Sequence, residues 1–137
     1  MKKKAGFTLS ELLIVVAIIG VLVAISIPIF TQQIHKAEVA TDWANVRSYY
    51  AQLQYDFMET GKVKDEYLNI TGHPGLTSFN LSGQTVHLKA GYLWVAPEDN
   101  ANQRGYNLMY ICKEWDTAHP DCKLILPEDP PSESGTK

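Results

Sequence analysis

The chain contains no G-x-S-x-G, H-E-x-x-H or phosphate-loop sequence, which removes the usual serine-hydrolase, zinc-peptidase and nucleotide-binding arrangements. Its histidines are scattered, His35, His73 and His87 among them, and suggest no triad. Asp65 and Glu66 are adjacent carboxylates with no companion nucleophile and read as a solvated pair. On so small a chain this argues against catalysis, and no cofactor is expected. Basic residues are few: 12 Lys and Arg stand against 15 Asp and Glu, a net charge of −3. That balance disfavours bulk nucleic-acid binding, which needs clustered cations. No internal repeat is evident. Cysteine is limited to Cys112 and Cys122.

Charge is also missing from one long stretch. Leu12–Phe30 is nineteen apolar or small residues without a charge, close to the ~20 that a spanning helix needs. Ahead of it stand Lys2-Lys3-Lys4-Ala5-Gly6 and then Phe7-Thr8-Leu9-Ser10-Glu11. An acid at mid-helix costs roughly 2.5–3.5 kcal/mol on insertion scales. A chain that needed only an anchor would do better without Glu11. The residue therefore points to a cationic partner inside the apolar layer, with snorkelling to the interface as the alternative.

Three readings compete for Met1–Phe30. A secretory signal peptide has a basic leader and an apolar core, but this core is too long and no clean small-x-small cleavage site follows it. A plain anchor, with Lys2–Lys4 cytoplasmic by the positive-inside rule, leaves Glu11 and the short leader without a purpose. The third is a signal cut on the cytoplasmic side, before the apolar run. The residues from Lys2 to about Phe30 resemble the type IV prepilin signature: a basic leader, Gly6 then Phe7, Glu11 at the fifth place after the cut, and the apolar run. The resemblance implies cleavage between Gly6 and Phe7 by a prepilin peptidase and N-methylation of the new Phe7 amine by the same type of enzyme. It further implies a single-pass precursor in the cytoplasmic membrane, hand-over to assembly machinery there, and a helical homopolymer outside the cell or a secretion pseudopilus. Without the leader, nine basic residues face 15 acids, so the mature chain is near −6.

The freed α-amine has an ordinary pKa near 7.7–8.0. A lone amine or carboxylate in hydrocarbon is costly, and a pair much less so. Glu11 lies about one turn from Phe7, so it can pair with its own terminus or a neighbour's. The second option sets the axial stagger between subunits. Gly20 and Pro28 are helix breakers within the run; Pro28 has no N–H and crowds the carbonyl of Ala24. Neighbours or local distortion satisfy such freed groups in membranes. By resemblance, Gly20–Pro28 uncoils on assembly; a kinked helix is expected of the single subunit.

Beyond Phe30, Ile34 and Ala37 lead into Val39, Trp43, Val46, Tyr50, Leu53 and Phe57 at spacings of four and three. That is a helical stripe separated by polar residues, Asp42 among them. Gly61 reads as the stop. A helix from about Phe7 to Met58 would run near 78 Å at 1.5 Å per residue. The rest of the chain reads as short strands: Ser78–Leu81 and Gln84–Leu88 joined by Ser82-Gly83, then Tyr92–Ala96, Tyr106–Ile111 and Lys123–Leu126 as an edge strand. The expected fold is α+β, a long N-terminal spine helix on a small antiparallel sheet headgroup, which matches the pilin fold. Its divisions are leader 1–6, membrane or filament-core helix 7–30, amphipathic half 31–58, headgroup 59–127 and a tail 128–137 rich in Pro, Ser, Glu and Gly.

Cys112 and Cys122 enclose nine residues. A disulfide there would stabilise by somewhat under ~3 kcal/mol in the chain-entropy model. A metal site with His119 and a pair of free thiols are the alternatives. No metal is assigned. Pro97–Asn102 looks like a calcium loop but fails the EF-hand test: counting from Glu98, Gln103 stands where glycine is needed and Met109 where a bidentate glutamate is needed. Asn69-Ile70-Thr71 and Asn80-Leu81-Ser82 are sequons, expected to be unmodified in a bacterial protein. The functional expectation is a structural filament subunit for adhesion, motility or aggregation. The alternatives are a pseudopilin of a type II secretion system and a competence pilin. No surface ligand is assigned. DNA is disfavoured by the net charge, with a local patch at Lys62, Lys64, Lys89 or Arg104 left open.

Overall fold

The computed structural model describes residues 5–69, 74–98, 105–113 and 122–128. Helix α1 runs Leu9–Thr60, 52 residues, and continues through Gly20 and Pro28. Gly61 ends it as expected. Its φ of 67° is open to glycine at little cost, and its N–H donates to the Phe57 carbonyl at 2.7 Å, which satisfies one of the last-turn acceptors. A short 3-10 turn, Asp65–Tyr67, follows.

Among the described residues five strands come next, all antiparallel, at or within one residue of the expected positions. β1 (Ser78–Leu81) and β2 (Gln84–His87) form a hairpin with Leu81 opposite Gln84. Ser82 and Gly83 both have positive φ, 51° and 85°, as a two-residue primed turn requires. β3 (Gly91–Pro97), β4 (Tyr106–Cys112) and β5 (Lys123–Leu126) form a second sheet in that order, with β5 at one edge. The sequence pattern suggests one sheet; the described strands form two. The chain leaves β2 through Leu88–Ala90, where Lys89 and Ala90 give their N–H groups to the Asp42 carboxylate instead of to a strand. Backbone donors spent on a side chain cannot extend a ladder.

The chain divides into two compact units, Met1–Lys36 and Ala37–Lys137. Within the second, Val46, Leu53, Leu93, Val95, Leu108 and Tyr110 are wholly buried, each contributing of order 1.5–3 kcal/mol. β4 alternates buried and half-buried residues along its length, the period of a sheet with one face on a core. Tyr49 stacks on Phe79 with centroids 4.4 Å apart. The helix face that meets this core is not quite the expected stripe. Val39, Asp42, Val46, Tyr49 and Leu53 are the buried positions, while Trp43, Tyr50 and Phe57 are half-buried flanks. Ile34 and Ala37 are exposed.

In the first unit the large apolar side chains from Phe7 to Phe30 are all exposed by about half or more. This part of α1 is long and apolar enough to cross a membrane.

Candidate functional site

Two places concentrate polar chemistry. The first is the start of α1. Ala5 to Thr8 precede the helix and are exposed, so the Gly6–Phe7 peptide stands clear of regular structure. Thr8 and Glu11 then cap the helix reciprocally. The Glu11 carboxylate accepts from the Thr8 N–H at 2.8 Å, and the Glu11 N–H donates to Thr8 Oγ1 at 3.3 Å. This is a capping box, which satisfies otherwise orphaned donors of a first turn. It also places an acid at the positive end of the helix dipole. The Thr8-x-x-Glu11 spacing is itself the sequence signature of such a box. The acid therefore has a local partner in the single subunit, on the amide adjacent to Phe7.

Further along, Ser26 Oγ donates to the Leu22 carbonyl at 2.8 Å and Thr31 Oγ1 to the Pro28 carbonyl at 2.9 Å. Such back-bonding keeps hydroxyls satisfied in an apolar stretch. In this single subunit Gly20 and Pro28 therefore lie within continuous helix.

The second place is the seam between α1 and the strands in the second unit, centred on Asp42. This carboxylate is fully buried. It accepts from Lys89 N–H at 3.0 Å, Ala90 N–H at 2.8 Å and Tyr110 Oη at 2.8 Å. A buried charge is tolerable only with such bonds. Burial, with the Asp42 carboxylate in second place, pushes the Tyr110 phenol far above its ordinary range. Burial likewise pushes Tyr49 up to about 12. Asp42 could have been found by extending the three-four spacing from Val39 through Val46 and Tyr49; its charge disguised it.

A second cluster fixes the turn after the helix. Asp56 accepts from Lys64 Nζ at 3.3 Å and Tyr67 Oη at 3.0 Å. The Lys64 ammonium is raised chiefly by that hydrogen bond. The Lys64 N–H also donates to Tyr106 Oη at 2.8 Å, which ties the turn to β4. Asp65 and Glu66 remain exposed between these anchors. At the far end of β4, Cys112 and Cys122 form a disulfide with Cα atoms 5.7 Å apart. It joins the end of β4 to the start of β5, where a bridge suits their antiparallel pairing. The metal alternative required His119, which lies outside the described residues, as do His73, Arg104 and most of the Pro97–Asn102 loop. The Glu98 N–H closes that loop's ends on the Gly105 carbonyl at 3.0 Å. Of the basic residues singled out in the sequence, Lys64 is engaged by Asp56 and Lys89 stands just before β3.

Comparison with known proteins bears on the first of these places. Residues 1–27 match the family described as the prokaryotic N-terminal methylation motif. The fimbrial protein EcpB of Eikenella corrodens is 35% identical over 86 residues, 63% of this chain and 45% of that protein. The type IV narrow pilus major component PilA5 of Thermus thermophilus is 55% identical over 49 residues, 34% of this chain and 42% of that protein. The matched part thus spans a little under half the length of each relative. No solved structure matches significantly. A methylation motif, an apolar capped helix and an α+β headgroup thus coincide in one chain, whose first 27 residues match that motif family and whose similarity is to a fimbrial protein and a type IV pilus component.

Proposed function

We propose that this protein is the structural subunit of a type IV pilus-like surface filament, serving adhesion, motility or aggregation rather than catalysis. In this reading a prepilin peptidase removes residues 1–6 and methylates Phe7. The subunit waits in the cytoplasmic membrane and passes to the assembly machinery, where apolar helices pack as the fibre core. The observation that carries the proposal is the geometry around Glu11. Its carboxylate rests on the Thr8 amide, one residue from the amine that cleavage would create. The acid is thus set beside its own future terminus and is available to a neighbour's amine once the capping bond is exchanged for a charged one. In the assembled fibre, a local opening of the helix between Gly20 and Pro28 would lengthen the core under tension.

A pseudopilin of a type II secretion or DNA-uptake system would use the same N-terminal device. Similarity to a fimbrial protein and to a pilus component favours the surface filament. The test combines mass spectrometry of the mature N-terminus with electron microscopy of surface fibres. N-methyl-Phe7 in abundant fibres is the expected result. An intact Met1 in the assembled protein would reject the processing scheme, and a periplasmic protein that never reaches the surface would favour the secretion piston.

A further inference from the structure

The outward face of the β3–β4–β5 sheet carries side chains that the assembly argument leaves unused. Its register sets them in two rows, Tyr92–Ile111–Lys123 and Trp94–Met109–Ile125. The two rings stand 6.2 Å apart at 55° and are half-buried. Gly75 makes room for them: a Cβ there would lie 2.6 Å from Tyr92 Cβ and 2.8 Å from the Trp94 ring. Lys113 Nζ sits 5.8 Å from the centre of the Tyr92 ring and donates to the Lys89 carbonyl at 3.3 Å. Lys113 and Lys123 are both exposed. Asp42, which binds the Lys89 amide, is buried and bonded toward the core. An apolar, ring-bearing surface with a cationic rim thus stands on a chain of net negative charge.

We propose that this face binds an acidic polysaccharide of uronate type. Aromatic rings stack on the C–H faces of pyranoses, which bury apolar area without losing their hydroxyl hydration. Lysines at the rim pair with carboxylates spaced along the polymer. Duplex nucleic acid fits less well, because its base faces are hidden and its phosphates require many more cations than two. A second copy of the chain fits less well too, since nothing apolar and acidic on the described headgroup matches the rings and the lysines together. The biological use of this face, adhesion, rests on the filament reading; the binding itself does not.

The test uses the full-length protein in detergent micelles with polygalacturonate as the probe, and dextran and single-stranded DNA as comparators. Polygalacturonate should be retained and dextran not, with retention falling as salt rises. Lys113→Glu with Lys123→Glu should weaken retention at least tenfold. Trp94→Ala should weaken it similarly while Trp94→Phe preserves it, and near-ultraviolet circular dichroism shows each variant folded. Absence of wild-type retention overturns the proposal. Retention unaffected by the lysine reversals, equal retention of dextran, preference for single-stranded DNA, or self-association through this face without polygalacturonate binding overturns it as well. Fibre imaging is scored separately. Fibres without retention sink only this inference, and retention without fibres sinks only the filament reading.

Discussion

One helix serves two solvents. Between Phe7 and Phe30 its large side chains are bare, Phe7 to 86%, and nothing among the described residues covers them. Between Val39 and Leu53 the same helix puts five positions into a closed core, with Val46 and Leu53 at 0% exposure. The first stretch is apolar on every side, so its burial must come from lipid or from other subunits. The second is apolar on one face, so its burial comes from its own strands. Stability of the headgroup and competence for assembly should therefore separate cleanly under mutation, and the following experiments press on that separation.

The largest effect is expected at Glu11. Glu11→Ala should reduce fibre yield by at least tenfold while leaving the headgroup melting temperature unchanged. Loss of the cap alone costs about 1 kcal/mol, too little to abolish assembly. Glu11→Gln sharpens the point, since it keeps an acceptor for the Thr8 N–H and removes only the charge. Normal fibres from both variants would sink the charge-pairing role.

Next comes the core. Leu53→Ala should destabilise the headgroup by about 2–5 kcal/mol in chemical denaturation, without altering membrane insertion of the precursor. A comparable loss is expected from Asp42→Ala, roughly 3 kcal/mol, because two backbone donors and the Tyr110 hydroxyl lose their acceptor. Asp42→Asn should recover part of it; equal damage from both would mean that charge, not acceptor count, matters there.

Replacing Cys112 and Cys122 by serine should cost somewhat under ~3 kcal/mol and leave the α1 seam intact by hydrogen exchange. The smallest effect is invisible at neutral pH. Tyr49 and Tyr110 have folded-state values raised above the unfolded value of 10.0. Above about pH 10 the unfolded chain releases protons that the folded chain retains, so stability falls as pH rises. Tyr49→Phe and Tyr110→Phe should flatten that alkaline slope in pH-resolved melts; a slope unchanged by both would show that other groups set it.

Much of this was legible beforehand because it depends on local order. The apolar run, the Gly61 stop, the Ser82-Gly83 turn and the strand alternation all follow from neighbours a few residues apart. Asp42 was misread as a solvent-facing residue, because an acid at a core spacing looks polar until its three donors, 47 to 68 residues away, are in place. The Thr8–Glu11 box spans only four residues, so its T-x-x-E spacing is legible in the sequence without any distant partner.

The sequence by itself determined which segment must leave water and where regular structure starts and stops, since hydropathy, chirality and backbone freedom act residue by residue. Only the tertiary structure decided that the described strands form two sheets, that Asp42 faces inward and that Tyr92, Trp94, Lys113 and Lys123 share an outer face. Those outcomes turn on distant donors and cross-strand register, and free energies of that kind exist only once the chain has closed on itself.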